Sequence, residues 1–141
     1  MAVRTADAEW KGDLRSGTGT FRAESGALEG KYSFSTRFEE EKGSNPEELI
    51  GAALAGCFSM ALSKQIADAG GAPESIRTTA RVHLEKGDEG FSITRIDLRT
   101  RVRASGLDEA TFQEKAQATK SSCPVSRALR AEIRLEAELE G

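Results

Sequence analysis

Between Asn45 and Leu62 the chain reads NPEELIGAALAGCFSMAL, and from Leu49 to Leu62 it carries no charge. Asn45 is a good N-cap. Pro46 suits the first helical position, where its missing N–H would be unpaired anyway. Glu48 stands three residues past Asn45, as in a capping box. The spacing predicts a helix from here to about Ala69, where Gly70, Gly71 and Pro73 stop it. A helix that is apolar on every face except for Ser59 must be buried all round. The uncharged run is too short to span a bilayer and fits a core helix. In its middle sits Cys57, preceded by Gly51, Ala52, Ala53, Ala55 and Gly56. Small residues let another backbone or a partner helix approach closely, so the helix offers a thiol in an apolar, crowded place.

The chain has 141 residues, which predicts one domain over 1–141. A chain of this size can bury roughly two thirds of its unfolded surface. Its net charge of −3 is dispersed along the sequence, which argues against the basic patch of a nucleic-acid binder. The first residues, MAVRTADAEW, have no apolar core of a secretory signal. The expected compartment is the cytoplasm, with no membrane partner. In a reducing compartment the two cysteines, Cys57 and Cys123, read as free, redox-active or incidental.

Residues 2–10 and 17–23 read as short strands joined by a turn at Gly12 and Asp13. Residues 31–38, KYSFSTRF, alternate with period two and predict a strand. After the central helix, residues 76–86 and 91–103 predict two long strands joined by a turn at 86–90. The apolar parity changes near Thr94, which points to a β-bulge there. Asp108 is the expected N-cap of a half-exposed helix whose stripe holds Phe112 and Ala116. Pro124 can open a short third helix with Cys123 at or beside its N-cap. Residues 131–139 alternate Ile133, Leu135, Ala137 and Leu139 against charged residues, as a strand facing the core on one side does. The fold class is α+β, with antiparallel strands wrapped around a buried helix.

Each candidate for chemistry has a plainer alternative. A lone buried cysteine such as Cys57 is usually a small hydrophobe. A thiolate at a helix N-terminus, as expected for Cys123, is stabilised by the dipole and by free N–H groups, although a cysteine can also cap without reacting. There is no CxxC pair, and His83 is the only histidine. It lies opposite in parity to Val82 and Leu84 and should point to solvent, so no metal site is expected. Arg37 precedes the central helix, and most arginines there would be solvated surface groups.

At these residues the sequence resembles the osmotically inducible protein C (OsmC) and organic hydroperoxide resistance (Ohr) family. The most specific matches are TRFEEEKGSNPEELIGAALAGCFSMAL at 36–62 and CPVSRAL at 123–129. WKGDLRSGTGT near the start, FSITRIDL at 91–98 and AEIRLEAEL at 131–139 are also similar. The resemblance implies an OsmC-like fold and a thiol-dependent peroxidase that reduces organic hydroperoxides and, less readily, hydrogen peroxide. It implies Cys57 as the peroxidatic thiol and Cys123 as the resolving thiol. It further implies Arg37 as the activating guanidinium and Glu47 as the carboxylate that orients it. The arginine sits in TRFE, as in the OsmC branch, whereas Ohr-type members carry it nearer the N-terminus. No cofactor is implied beyond an external dithiol reductant, lipoyl-type dithiols among the candidates.

The chemistry of the residues agrees. The thiolate is the nucleophile, an apolar helix disfavours it, and a permanently charged guanidinium offsets that. A sulfenic acid at Cys57 would condense with a second thiol before over-oxidation. Apolar-ligand binding, or redox sensing without turnover, are the alternative functions. Glu47 and Cys57 are ten positions apart, about 15 Å along a continuous helix. Glu47 therefore cannot reach its own Cys57, and the expectation is an intertwined two-fold homodimer in which the partner supplies Glu47.

Overall fold

A computed structural model describes residues 2–140 of the chain. It divides into two compact units, Met1–Leu49 and Ile50–Gly141. The first contains an antiparallel sheet of β1 (Ala6–Lys11), β2 (Thr18–Ala23) and β3 (Glu29–Tyr32), in that order. Gly12, at φ +97, begins the β1–β2 connection. Asp13 accepts from the N–H of Ser16 at 2.7 Å and closes the turn. Gly19 is needed inside β2 for room: a Cβ there would come within 2.6–2.7 Å of the Tyr32 and Trp10 rings. Those two rings pack 5.5 Å apart.

Of the expected strand 31–38 only Lys31 and Tyr32 lie in a strand. The chain leaves β3 at Tyr32 and turns into α1 (Phe34–Phe38). Ser33 is the reason: its Oγ accepts from the Thr36 N–H at 3.2 Å, while Thr36 Oγ1 accepts from the Ser33 N–H at 2.8 Å. Two orphan N–H groups are thereby satisfied at once, and this local reward outweighs the period-two pattern.

The central helix, α2, runs unbroken from Pro46 to Asp68. Asn45 caps it, accepting from the Glu48 N–H at 2.8 Å. It ends at Gly70, at φ +91, with the Gly71 N–H returning to the Ile66 carbonyl at 2.9 Å. At 23 residues, with a mean hydropathy of 1.4 over its most apolar window, the whole helix is long and apolar enough to cross a membrane. It exceeds the uncharged run because polar residues extend both ends, and the core it enters marks it as a core helix.

The second unit is built on that helix. Leu54, Phe58, Leu62 and Ile66 lie along one stripe of α2 and are fully buried, in one core with Ile96, Leu98 and Val102. Those three belong to β5 (Gly90–Ser105), which pairs antiparallel with β4 (Ala72–Gly87). The register of this hairpin slips between His83 and Leu84, so Thr94 is the extra residue, as the change of parity predicts. Ser59, the polar exception in the apolar run, bonds Thr78 at 2.7 Å, and Thr78 bonds the buried Thr100 at 3.0 Å. Phe112 and Ala116 reach the same core from α3 (Glu109–Ser122), whose cap, Asp108, accepts from the Thr111 N–H at 2.7 Å.

Two expectations need correction here. The helix is not buried all round: Ala52, Ala53, Gly56 and Met60 face outward, and Met60 is 78% exposed. One three-stranded sheet and one helix cover only one side of a cylinder. Nor are all the strands antiparallel, because β6 (Glu132–Glu140) runs parallel to β5. The crossover through α3 and α4 (Pro124–Ala128) returns the chain to the same end of the sheet, as a parallel pair requires. The outer residues of the pair match in charge: Arg95 opposes Glu132, Asp97 Arg134, Arg99 Glu136, Arg101 Glu138 and Arg103 Glu140. Opposite charges across strands favour this register over a slipped one.

Candidate active site

The residues singled out in the sequence fall into two pairs, one in each unit. In the first unit Arg37 ends α1 and Glu47 opens α2. Arg37 Nη2 donates to Glu47 Oε1 at 2.8 Å and Nε to the same oxygen at 3.0 Å. Nε also lies 3.3 Å from Oε2. Glu47 is 7% exposed, so its carboxylate is committed to the guanidinium. Asn45 helps to set the pair: it caps α2 and also donates to the Thr36 carbonyl at 3.2 Å. Phe38 lies beneath the Arg37 guanidinium, 5.1 Å from ring centre to Cζ. Arg15 stacks on Phe34, 4.7 Å from ring centre to Cζ.

In the second unit the structure brings Cys57 and Cys123 together. Cys57 is half-buried on α2 and Cys123 is buried, and both are free thiols. The two thiols lie close enough to act on each other, and the Val125 backbone N–H lies close enough to act on Cys57. Burial, first of all, pushes the Cys57 thiol above its ordinary value; contact with Cys123 adds to the rise, and the Val125 N–H opposes it. Cys123 is the N-cap of α4, as expected: its Sγ accepts from the Ser126 N–H at 3.4 Å. The first turn of α4 therefore lies beside both sulfurs.

Ser126 was not among the expected site residues. Its Oγ lies 2.9 Å from Cys123 Sγ. Its position three residues after a helix cap, the second half of a capping box, is the signal that would have found it. His83 lies on the outer face of β4, but it is not simply solvated. Its Nε2 sits 2.9 Å from Asp97 Oδ2, because the β5 strand carries Asp97 and Arg95 alongside it. Among the described residues no three His, Cys, Asp or Glu side chains gather as a metal site.

An α+β chain with a thiol on its core helix, in contact with a second thiol capping a short helix, defines a two-thiol class of protein. The chain belongs to the OsmC-like protein family, whose family model matches residues 39–138. It is 52% identical to Peroxiredoxin OsmC of Escherichia coli (strain K12) over 138 residues, 97% of this chain and 96% of that protein. The identity and coverage are the same for Peroxiredoxin OsmC of Shigella flexneri. Among solved structures, an OsmC-like protein of unknown function from Vibrio cholerae superposes with a TM-score of 0.78 at 21% identity, covering 97% of this chain and 99% of that one. The organic hydroperoxide resistance protein OhrB of Bacillus subtilis superposes at 0.67 with 25% identity, covering 96% and 98%.

Proposed function

We propose that the protein is a thiol-dependent peroxidase that reduces organic hydroperoxides, and hydrogen peroxide less readily. The observation that carries this reading is the contact between Cys57 and Cys123, in a chain 52% identical to proteins named Peroxiredoxin OsmC. The Cys57 thiolate attacks the O–O bond. One oxygen stays on sulfur as a sulfenic acid, and the other leaves with a proton as the alcohol. Cys123 then condenses with the sulfenic acid, releasing water and forming a Cys57–Cys123 disulfide before over-oxidation. An external dithiol, of the lipoyl type among others, reduces the disulfide. A dithiol-regenerated cycle suits a reducing compartment such as the cytoplasm.

Burial works against the Cys57 thiolate, so a cation must offset it. In our reading Arg37 is that cation and Glu47 holds it in place. Because α2 is unbroken from Pro46 to Asp68, Glu47 and Cys57 stand about 15 Å apart along its axis. The active form is therefore a homodimer in which each Cys57 meets the Arg37–Glu47 pair of the other chain. The exposed Ala52, Ala53, Gly56 and Met60 face of α2 is the surface on which the two helices pack. One continuous helix carries both Glu47 and Cys57, and we treat the chain as one functional domain.

Adding cumene hydroperoxide and counting free thiols tests the reading. Wild type should lose both thiols together and form one disulfide. Cys57→Ser should consume no peroxide, and Cys123→Ser should stop at a sulfenic acid trappable by dimedone. Full turnover by Cys57→Ser would overturn the assignment. Binding of hydroperoxide without thiol loss would leave a ligand-binding module, and a single oxidation with no dithiol-driven turnover would leave a sensor.

A further inference from the structure

Of the buried polar side chains that the mechanism above does not use, Ser126 lies beside a reacting sulfur. Ser126 is 7% exposed and Cys123 is 1% exposed, so bulk water does not serve this hydroxyl. A side chain at the third position of a helix ordinarily bonds the backbone N–H of the cap. Here that N–H is already taken: Cys123 N–H donates to the Thr119 carbonyl at 3.1 Å, the last bond of α3. The Ser126 hydroxyl is left with the sulfur, 2.9 Å away, while the Ser126 N–H reaches the same sulfur at 3.4 Å. A thiol sulfur has one proton and two lone pairs to place. The Ser126 O–H has no other acceptor among the described residues, so it takes one lone pair and the Ser126 N–H the other, which turns the S–H of Cys123 to the side where Cys57 lies.

From this geometry we infer that Ser126 is a positioning residue for the second half-reaction. Its O–H donates to the Cys123 sulfur in the resting enzyme and holds that sulfur with its S–H toward Cys57. When Cys57 has become a sulfenic acid, the S–O bond breaks and the S–S bond forms. The Cys123 proton leaves with the hydroxide as water, and Ser126 neither gains nor loses a proton. The inference rests on the peroxidase reading and assigns its resolving step to a pair of residues, Cys123 and Ser126.

Single-turnover kinetics with one equivalent of cumene hydroperoxide test it. Ser126→Ala should form the Cys57 sulfenic acid at the wild-type rate and convert it to the disulfide roughly five- to tenfold more slowly, the effect of one lost hydrogen bond. Dimedone should trap correspondingly more adduct. Ser126→Thr keeps the hydroxyl and should restore most of the rate. A second measurement needs no turnover. In Cys57→Ser the infrared S–H stretch reports Cys123 by itself, and it should lie at the lower frequency of a hydrogen-bonded thiol. Adding Ser126→Ala should move it to the free-thiol frequency. A free-thiol band in Cys57→Ser, or an unchanged disulfide rate in folded Ser126→Ala, overturns the inference and leaves the peroxidase reading standing. If wild type loses no thiols to the hydroperoxide, the peroxidase reading fails and this inference fails with it, even where the S–H band is shifted.

Discussion

Cys57 is subject to opposed influences. Burial and the neighbouring Cys123 raise its pKa, and the Val125 N–H lowers it. One N–H does not reverse the direction, so the proposed role of Arg37 can be measured. Arg37→Ala should move the pH profile of Cys57 alkylation upward. An opposite charge close to a thiol shifts its pKa by one to three units, so the reaction with peroxide at neutral pH should slow about 10- to 1,000-fold. Arg37→Lys should recover only part of this, because an ammonium cannot give the two-nitrogen grip that holds Glu47 at 2.8 and 3.0 Å. An unchanged alkylation profile in Arg37→Ala would remove Arg37 from the mechanism. Asp97 offers a prediction about stability. His83 first, then Arg95, hold its carboxyl below the usual carboxylate range. A depressed folded-state pKa contributes stability above the unfolded value of about 3.9, and this is lost as pH falls through the folded value. Asp97→Asn should therefore flatten the fall of Tm with pH below about 4. A Tm profile parallel to wild type would show that the cluster adds nothing.

Among the elements, the start of α2 does two jobs through one side chain. Asn45 Oδ1 caps the helix at 2.8 Å, and its Nδ2 ties the Thr36 carbonyl of α1 at 3.2 Å. Asn45→Ala should lose both and cost about 1 kcal/mol or somewhat more. Asn45→Asp keeps a capping oxygen and loses only the donor to Thr36. It should retain most of the stability in chemical denaturation, yet loosen the helix that carries Arg37 and so reduce peroxidase activity. If Asn45→Asp matched wild type in both measurements, the tie to Thr36 would have no role. The β5–β6 pair shows how an element is chosen by its neighbours. Its parallel direction follows from the length of the α3–α4 crossover, and its register matches the cross-strand charge pairs. Alternation in 131–139 is compatible with a strand of either direction.

For the whole molecule, the question is what covers the outer face of α2. A Cβ placed on Gly56 would meet nothing within 4 Å in the single chain. Gly56→Leu should therefore leave the fold of one chain intact and disturb only a close helix–helix contact. In the proposed dimer it should shift sedimentation toward the monomer and abolish activity, with the far-UV spectrum unchanged. A stable, active Gly56→Leu dimer would place the contact elsewhere. Mixing inactive Cys57→Ser and Glu47→Ala chains by unfolding and refolding them together asks about the shared site. The heterodimer has one Cys57 facing an intact Glu47, so part of the activity should return. Well-formed heterodimers without activity would show that the site is built within one chain.

Spacings of a few residues settle what depends on near neighbours. The Asn45–Pro46–Glu48 start of α2, its glycine stop, the Asp108 cap, the Cys123 cap and the bulge at Thr94 all follow from spacings of a few residues, and each is found where the spacing puts it. In KYSFSTRF two local signals compete. Alternation spoke for a strand, and the reciprocal Ser33–Thr36 bonds decided for a helix. The rest comes from packing between distant segments. Cys57 and Cys123 are far apart in the chain, and their contact exists because α3 and α4 carry the CPVS turn back to the core helix. The Ser126 hydroxyl belongs to the sulfur because α3 has already claimed the Cys123 N–H. Which face of an uncharged helix is buried depends on what the sheet can cover: the large Leu54, Phe58 and Leu62, four apart, take that face, and the small Ala52, Ala53 and Gly56 are left outside.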